Sequence, residues 1–216
     1  MVGPVNVVIV GGHGKIALRL EKLLAERGDS PRGIIRKTEQ AADLEAIGAE
    51  PIVLDIENVD DISDALAGAD AVVFAAGAGP GSGPARKRTV DYGGAVKLAD
   101  AARSRNVSRY VIVSSISADH PETWSDEMRP YFEAKAEADS YVVESGLDHT
   151  ILRPGYLTDD PGTGKVQIAE HLDRGSVTRE DVAAVIAECL VADNTIGKAV
   201  DLTNDGKPIA EAVRSL

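Results

Sequence analysis

Asn6-Val7-Val8-Ile9-Val10-Gly11-Gly12-His13-Gly14-Lys15-Ile16-Ala17 runs from an unbroken apolar stretch, through a glycine-rich turn, into the start of an amphipathic helix. An all-apolar run of this length suits a central parallel strand buried on both faces. The helix pattern continues to Arg27, with Ile16, Leu20, Leu23 and Leu24 on one face. The turn has the form G-x-x-G-x-x-A. Gly11 permits a tight reversal, Gly14 lets the backbone approach a pyrophosphate with no Cβ in the way, and Ala17 keeps helix and strand close. Amides of the segment Gly11, Gly12, His13, Gly14, Lys15 and Ile16, with the helix dipole behind them, then face phosphate oxygens. A plain structural turn is the alternative, but the strand before it and the helix after it are the context that a dinucleotide-binding loop requires.

The same rhythm repeats outward from this unit. Strand patterns fall at Gly33–Arg36, Pro51–Leu54, Ala71–Ala75, Tyr110–Ser114, His149–Arg153 and Ala199–Thr203. Helix patterns fall at Glu39–Ile47, Asp61–Leu66, Ala85–Arg105, Tyr131–Ser145 and Arg179–Val191. Gly28, Gly48, Gly68 and Gly146 follow four of the helices, as C-terminal stop residues do. Repeated β-α-β units imply right-handed crossovers and a doubly wound, mostly parallel sheet, the Rossmann architecture, in a single α/β domain over residues 1–216. Gly77–Pro84 and Pro154–Gly164 read as loops, and both follow strand ends, where open α/β sheets place ligands.

Composition narrows the function classes. A net charge of -12 argues against nucleic-acid and anionic-membrane partners, which need basic surface. The single cysteine, Cys189, allows no intrachain disulfide and lies in an apolar run that suggests core packing. No basic segment followed by an apolar stretch precedes the first strand, and no apolar run is long enough for a membrane span, so a cytoplasmic location is expected. His13, His120, His149 and His171 show no short metal-ligand spacing, and no metal is expected.

Cofactor preference turns on the end of the second strand. An NAD site carries an acidic residue there to accept from the ribose 2′-hydroxyl, whereas this strand ends in Arg36-Lys37, which can pair with a 2′-phosphate. NADP(H) is therefore expected over NAD(H), the alternative being two solvated basic residues. Asp55 can accept from the adenine amino group with Ile56 framing the ring, or can simply cap the next helix. Tyr131-Phe132-Glu133-Ala134-Lys135 has the form Y-x-x-x-K, which puts phenol and ammonium on one helical face. An adjacent ammonium favours the phenolate and suits Tyr131 to proton transfer, while Lys135 can also bond the nicotinamide ribose. Ordinary amphipathic helix residues with solvated tips are the other reading. Ser114 and Ser115 end the fifth strand beside the cofactor position, with Ser117 close by, and a hydroxyl there can polarise a substrate carbonyl. Trp124, between His120 and Pro130, is either a lid residue or packed down, and Tyr156 with Leu157 can complete an apolar pocket.

In ordered combination these motifs resemble the atypical short-chain dehydrogenases/reductases. The marks are the glycine loop, Asp55-Ile56, Phe74-Ala75-Ala76-Gly77, Val113-Ser114-Ser115, Tyr131 to Lys135, Leu152-Arg153-Pro154-Gly155 and Thr178 to Ala183, over almost the whole chain. The resemblance is to small NAD(P)-binding proteins labelled sugar-epimerase-like and, more distantly, to biliverdin/flavin reductase-like and NmrA-like groups. It implies strand order 3-2-1-4-5-6-7 and cofactor contacts at Ala75, Ala76, Gly77, Pro154 and Gly155. It also implies hydride-transfer chemistry by a serine, Tyr131 and Lys135, with Ser115 the choice over Ser114 and Ser117. Ala17 replaces the third glycine of the common fingerprint, and the stretch after Gly155 is short for a nucleotide-sugar pocket. The expectation is an NADP(H)-binding oxidoreductase acting on a small carbonyl or conjugated substrate. A non-catalytic NADP(H)-sensing or scaffold protein is the alternative, and a nucleotide-sugar epimerase-like enzyme ranks below both. Monomer and homodimer stay equally open.

Overall fold

In the computed structural model, which describes residues 3–79 and 81–216, β1 (Asn6–Val10) lies inside a nine-stranded sheet. It pairs in parallel with β2 (Ser30–Ile35) on one side and β4 (Ala71–Phe74) on the other. Met1, Val2 and Pro80 lie outside the described residues, so the chain start and one position of the Gly77–Pro84 loop are not addressed. Beyond β2 comes β3 (Glu50–Val53). Beyond β4 come β5 (Arg109–Val113), β6 (Asp148–Pro154) and the late strand β10 (Lys198–Asn204), all parallel. With β10 as the expected seventh strand, the order is 3-2-1-4-5-6-7, as anticipated.

The apolar run of β1 divides between two layers. Val7 and Ile9 face α1 (Lys15–Arg27) and α6 (Arg179–Cys189), whereas Val8 and Val10 face α4 (Gly93–Ser104) and α5 (Arg129–Glu144). Val7, Val8 and Ile9 are fully buried, at roughly 1.5–3 kcal/mol of hydrophobic stabilisation each. α1 stops at Gly28, whose φ of 93° allows its amide and that of Asp29 to close on the Ala25 and Leu24 carbonyls. Among the described residues no helix is long and apolar enough to cross a membrane.

Several expectations are corrected. The Glu39–Ile47 pattern gives only a 3-10 turn (Thr38–Gln40) and a short α2 (Ala41–Glu45), and Asp61–Leu66 gives only a 3-10 turn over Ser63–Leu66. The long helix expected from Ala85 is a rod in three parts: α3 (Gly83–Arg86), a π-helical turn over Lys87–Tyr92, and α4. Pro154–Gly164 is not all loop, because β7 (Tyr156–Thr158) pairs in parallel with β9 (Ser176–Thr178). Such three-residue strands carry no periodicity to read. β8 (Lys165–Ala169) and β11 (Lys207–Pro208) add an antiparallel edge, and α7 (Ile209–Arg214) covers it. β8 lies between β10 and β11 and has Val166 as its one buried residue, so it lacks the continuous apolar run that marks the central strands.

Candidate functional site

The sheet order reverses at β1 and β4, so the crevice at their C-terminal ends is the place where an open α/β sheet receives a ligand. The glycine loop forms one lip. Gly11 has φ +86°, and a Cβ there would lie 2.7 Å from the Ala76 backbone. A Cβ on Gly12 would lie 2.7 Å from Gly33 Cα. Gly14 sits at the head of α1, which no side chain caps and which has no acidic residue in its first turn. The amides of Gly12 and Gly14 are not available as expected, because they donate to the Ile34 and Gly11 carbonyls at 2.9 and 2.7 Å; those of His13, Lys15 and Ile16 remain as the donors of a backbone cradle that fits a pyrophosphate. His13 Nε2 lies 2.7 Å from Asp43 Oδ2, and the Lys15 ammonium pairs with Asp159, which Arg179 also holds at 3.0 Å.

Behind the cradle stands a residue outside the expected set. Glu21 on α1 is fully buried, and neither carboxyl oxygen has a hydrogen-bond partner among the described residues. A Cβ on Gly33 would lie 2.4 Å from Glu21 Oε1, so the carboxyl fills the space beneath Gly12 and Gly33. Burial pushes it up to about 8. The stripe Ala17-Glu21-Ala25, which turns toward the sheet at i, i+4 spacing, was the available signal.

Two cavities open from the crevice. The smaller, about 300 Å³, is lined by Gly11, His13, Gly14, Arg36, Asp55, Ile56 and Ala75 to Ala78, among others. Arg36 is exposed at its rim, whereas Lys37 is exposed outside it. Asp55 turns its carboxylate back on its own chain, accepting from the Glu57 amide at 3.0 Å and the Asn58 side-chain amide at 2.8 Å. Arg86, not anticipated, also lines this cavity and pairs with Glu57, whose carboxyl it holds below the usual range.

The larger cavity, about 870 Å³, shares Ala75, Ala76 and Gly77 with the smaller one and extends to Lys15, Ile16, Ser114, Tyr131, Lys135 and Leu157. Lys135 is buried. Its ammonium donates to the Val113 carbonyl at 3.1 Å and lies 3.3 Å from Asp91 Oδ1. Asp91 is itself fully buried and accepts from the Ala78 amide at 3.1 Å. It comes from the π-helical turn, in the mixed stretch Lys87-Arg88-Thr89-Val90-Asp91-Tyr92, where no spacing or pattern marks it in the sequence. The Tyr131 ring lies 5.9 Å from Lys135 Nζ and 5.4 Å from Lys87 Nζ, measured to its centroid.

The serines divide. Ser114 lines the cavity, and its hydroxyl donates to Asp139 at 3.0 Å; burial raises the Asp139 carboxyl while Arg153, donating to it at 3.1 Å, opposes the rise. Ser115 is half-buried and lines neither cavity among the described residues. Pro154 and Gly155 also line neither. Gly155 is needed for packing, because a Cβ there would lie 2.3 Å from the Gly175 carbonyl oxygen. Tyr156 is 78% exposed and does not join Leu157 in the pocket. Trp124 is packed down: its ring stacks on Phe132 at 5.8 Å and its Nε1–H donates to the Ser117 carbonyl at 2.7 Å.

The sequence profile of the NAD(P)H-binding family matches residues 11–193, and the chain belongs to that family. An uncharacterized sugar epimerase of Bacillus subtilis, YhfK, is 40% identical over 98% of this chain and all of its own length. A Bacillus halodurans structure with the provisional name NAD-dependent epimerase/dehydratase is 40% identical, with a TM-score of 0.94 over 98% of this chain and all of that one. ChuY, an anaerobilin reductase of Escherichia coli O157:H7, is 26% identical with a TM-score of 0.80, covering 94% of this chain and 99% of that one. The resemblance to atypical short-chain dehydrogenases/reductases is thereby borne out: this is a reductase-like NAD(P)-binding chain with a Rossmann-type sheet.

Proposed function

We propose that this chain, one domain over residues 1–216, is an NADP(H)-dependent reductase of a small carbonyl or conjugated compound. The observation that carries the reading is the meeting of the two cavities at Ala75, Ala76 and Gly77, directly across from the glycine cradle. A dinucleotide spanning them would have its adenosine end beside Arg36, Asp55 and Ile56 and its nicotinamide end beside Tyr131 and Lys135. When bound, the nicotinamide supplies the hydride. The chain's residues supply position and a proton. Gly11, Gly12 and Gly14 let the loop close against Ala76, Gly33 and itself, and the amides of His13, Lys15 and Ile16 face the pyrophosphate. Arg36 pairs with the 2′-phosphate. Lys135 has three donors, and with Val113 and Asp91 engaging two, one remains for the ribose or the Tyr131 hydroxyl. Tyr131 gives its proton to the substrate oxygen as hydride arrives. The reductase name of the similar Escherichia coli protein supports this class of chemistry.

NADPH and NADH titrations, followed by nicotinamide fluorescence, test the cofactor half. NADPH is expected to bind the tighter, and Arg36→Ala to weaken it by about tenfold or more while sparing NADH. Tyr131→Phe is expected to cut NADPH-dependent turnover by roughly 10²–10⁴-fold with cofactor binding kept. Unchanged turnover removes Tyr131 from the mechanism. One observation favours a second reading, a binding protein without chemistry: the Ser114 hydroxyl already donates its hydrogen bond to Asp139, and Ser115 lines neither cavity. Tight NADPH binding with no oxidation across a broad carbonyl and quinone panel would select that reading.

A further inference from the structure

We propose that Asp119, His120 and His171 form a binding site for a divalent transition-metal ion of the zinc type, separate from the cofactor crevice. One ligand atom from each of the three lies within 4.8 Å of the others. None of the three lines either cofactor-side cavity. Two come from the loop after β5 and the third from the segment after β8, so only the fold assembles them.

The outer contacts already orient the set. His120 Nδ1 lies 3.2 Å from Glu122 Oε1, which leaves Nε2 facing Asp119 Oδ1 at 3.7 Å. A carboxylate behind one ring nitrogen is the arrangement that fixes a metal-binding histidine. Asp119 Oδ2 is held by the Arg153 guanidinium, which turns Oδ1 toward the histidines. The His171 ring meets that of His120 edge to face at 5.3 Å, and the amide of the next residue, Leu172, is held by Asp201 at 3.0 Å. His171 is exposed and also borders a third, polar cavity of about 730 Å³, so an ion can reach it from solvent. A tetrahedral zinc ion needs ligand atoms about 3.4 Å apart, so closure takes small rotations, chiefly of the exposed His171 side chain toward the half-buried His120. Two imidazoles and one carboxylate select zinc or a neighbouring transition metal over magnesium or calcium, which prefer oxygen ligands. Three protein ligands leave one position for water. A bound ion would staple the His171 segment to the loop that carries Trp124.

The test is cobalt and zinc titration of chelator-treated full-length protein, read by the cobalt visible spectrum, by zinc competition and by Trp124 fluorescence. Expected is one ion per chain, cobalt bands of four-coordinate intensity displaced by zinc, and a Trp124 response at the same equivalence point. His171→Ala should weaken binding by more than about 100-fold, beyond what loss of an outer partner costs. His120→Gln should do the same, whereas His149→Ala should leave binding unchanged. His171 is exposed, so its variants should fold, and an unchanged far-UV spectrum checks this. Weak binding of several ions that His171→Ala does not alter, or no binding by the wild type, overturns the site.

Discussion

Replacing Glu21 by Met removes the one carboxyl that is sealed beneath the glycine loop without a partner, and keeps a straight chain of similar length. In the unfolded chain this carboxyl titrates at its ordinary 4.5, and in the folded protein at about 8. Between those values the folded state holds a proton that the unfolded state has released. Stability therefore falls as pH rises through that window and levels off above it. Each unit of difference is worth about 1.4 kcal/mol, so going from about pH 5 to about pH 8 costs the wild type roughly 3 kcal/mol through this group alone. Glu21→Met has nothing to ionise there. Its stability advantage over the wild type should grow by about 3 kcal/mol across the same interval, or a thermal shift of roughly 10 °C for a chain this size. Urea unfolding followed by far-UV circular dichroism at several pH values measures it, provided the m-value is unchanged. Glu26→Gln removes a carboxyl from the exposed side of the same helix and should keep the wild-type pH dependence. Parallel stability curves for wild type and Glu21→Met would refute a proton held at Glu21.

Gly33→Ala should destabilise the fold by about 1–3 kcal/mol, because its Cβ meets both Glu21 Oε1 and Leu44 Cδ2 at 2.4 Å; an unchanged thermal midpoint would count against that packing. Lys135→Met should cost about 3–5 kcal/mol by leaving Asp91 charged and buried, and adding Asp91→Asn should recover most of it; equal denaturation midpoints for single and double variants would show that the pair is not coupled. Burial pushes the Cys189 thiol up to about 12, so a disulfide reagent should label it only as fast as the chain opens, and prompt labelling of native protein would contradict its burial.

The parts of the fold that could be read in advance were those where one local pattern has one structural meaning. The apolar run of β1 admits little else than a strand covered on both faces, and the glycines behind it admit little else than a close backbone turn. The parallel core followed from repetition of that unit. β7 and β9 could not be read, because each is three residues long and exists only through its partner. The candidate site divides in the same way. Tyr131 and Lys135 share a helix and are visible as a spacing, whereas Asp91 reaches Lys135 from a different element, so no spacing in the sequence joins the two. The choice between Ser114 and Ser115 depends on which way the chain turns after β5, and adjacent residues of one type carry no information about that. His120 and His171 meet only because β5 and β8 bring their following loops to one place.

The π-helical turn over Lys87–Tyr92 has an evolutionary consequence. Such a turn is an α-helix carrying one residue too many, and so it can arise or vanish by a single codon insertion or deletion. Losing one residue there would rotate everything on one side by about 100° relative to the other. Asp91 would swing away from Lys135, or Lys87 away from Tyr131, with every side chain of the site still encoded. Relatives of this chain that differ by one residue in that rod are thus expected to differ in the charge state around the lysine, and an alignment that closes the gap elsewhere would hide the change.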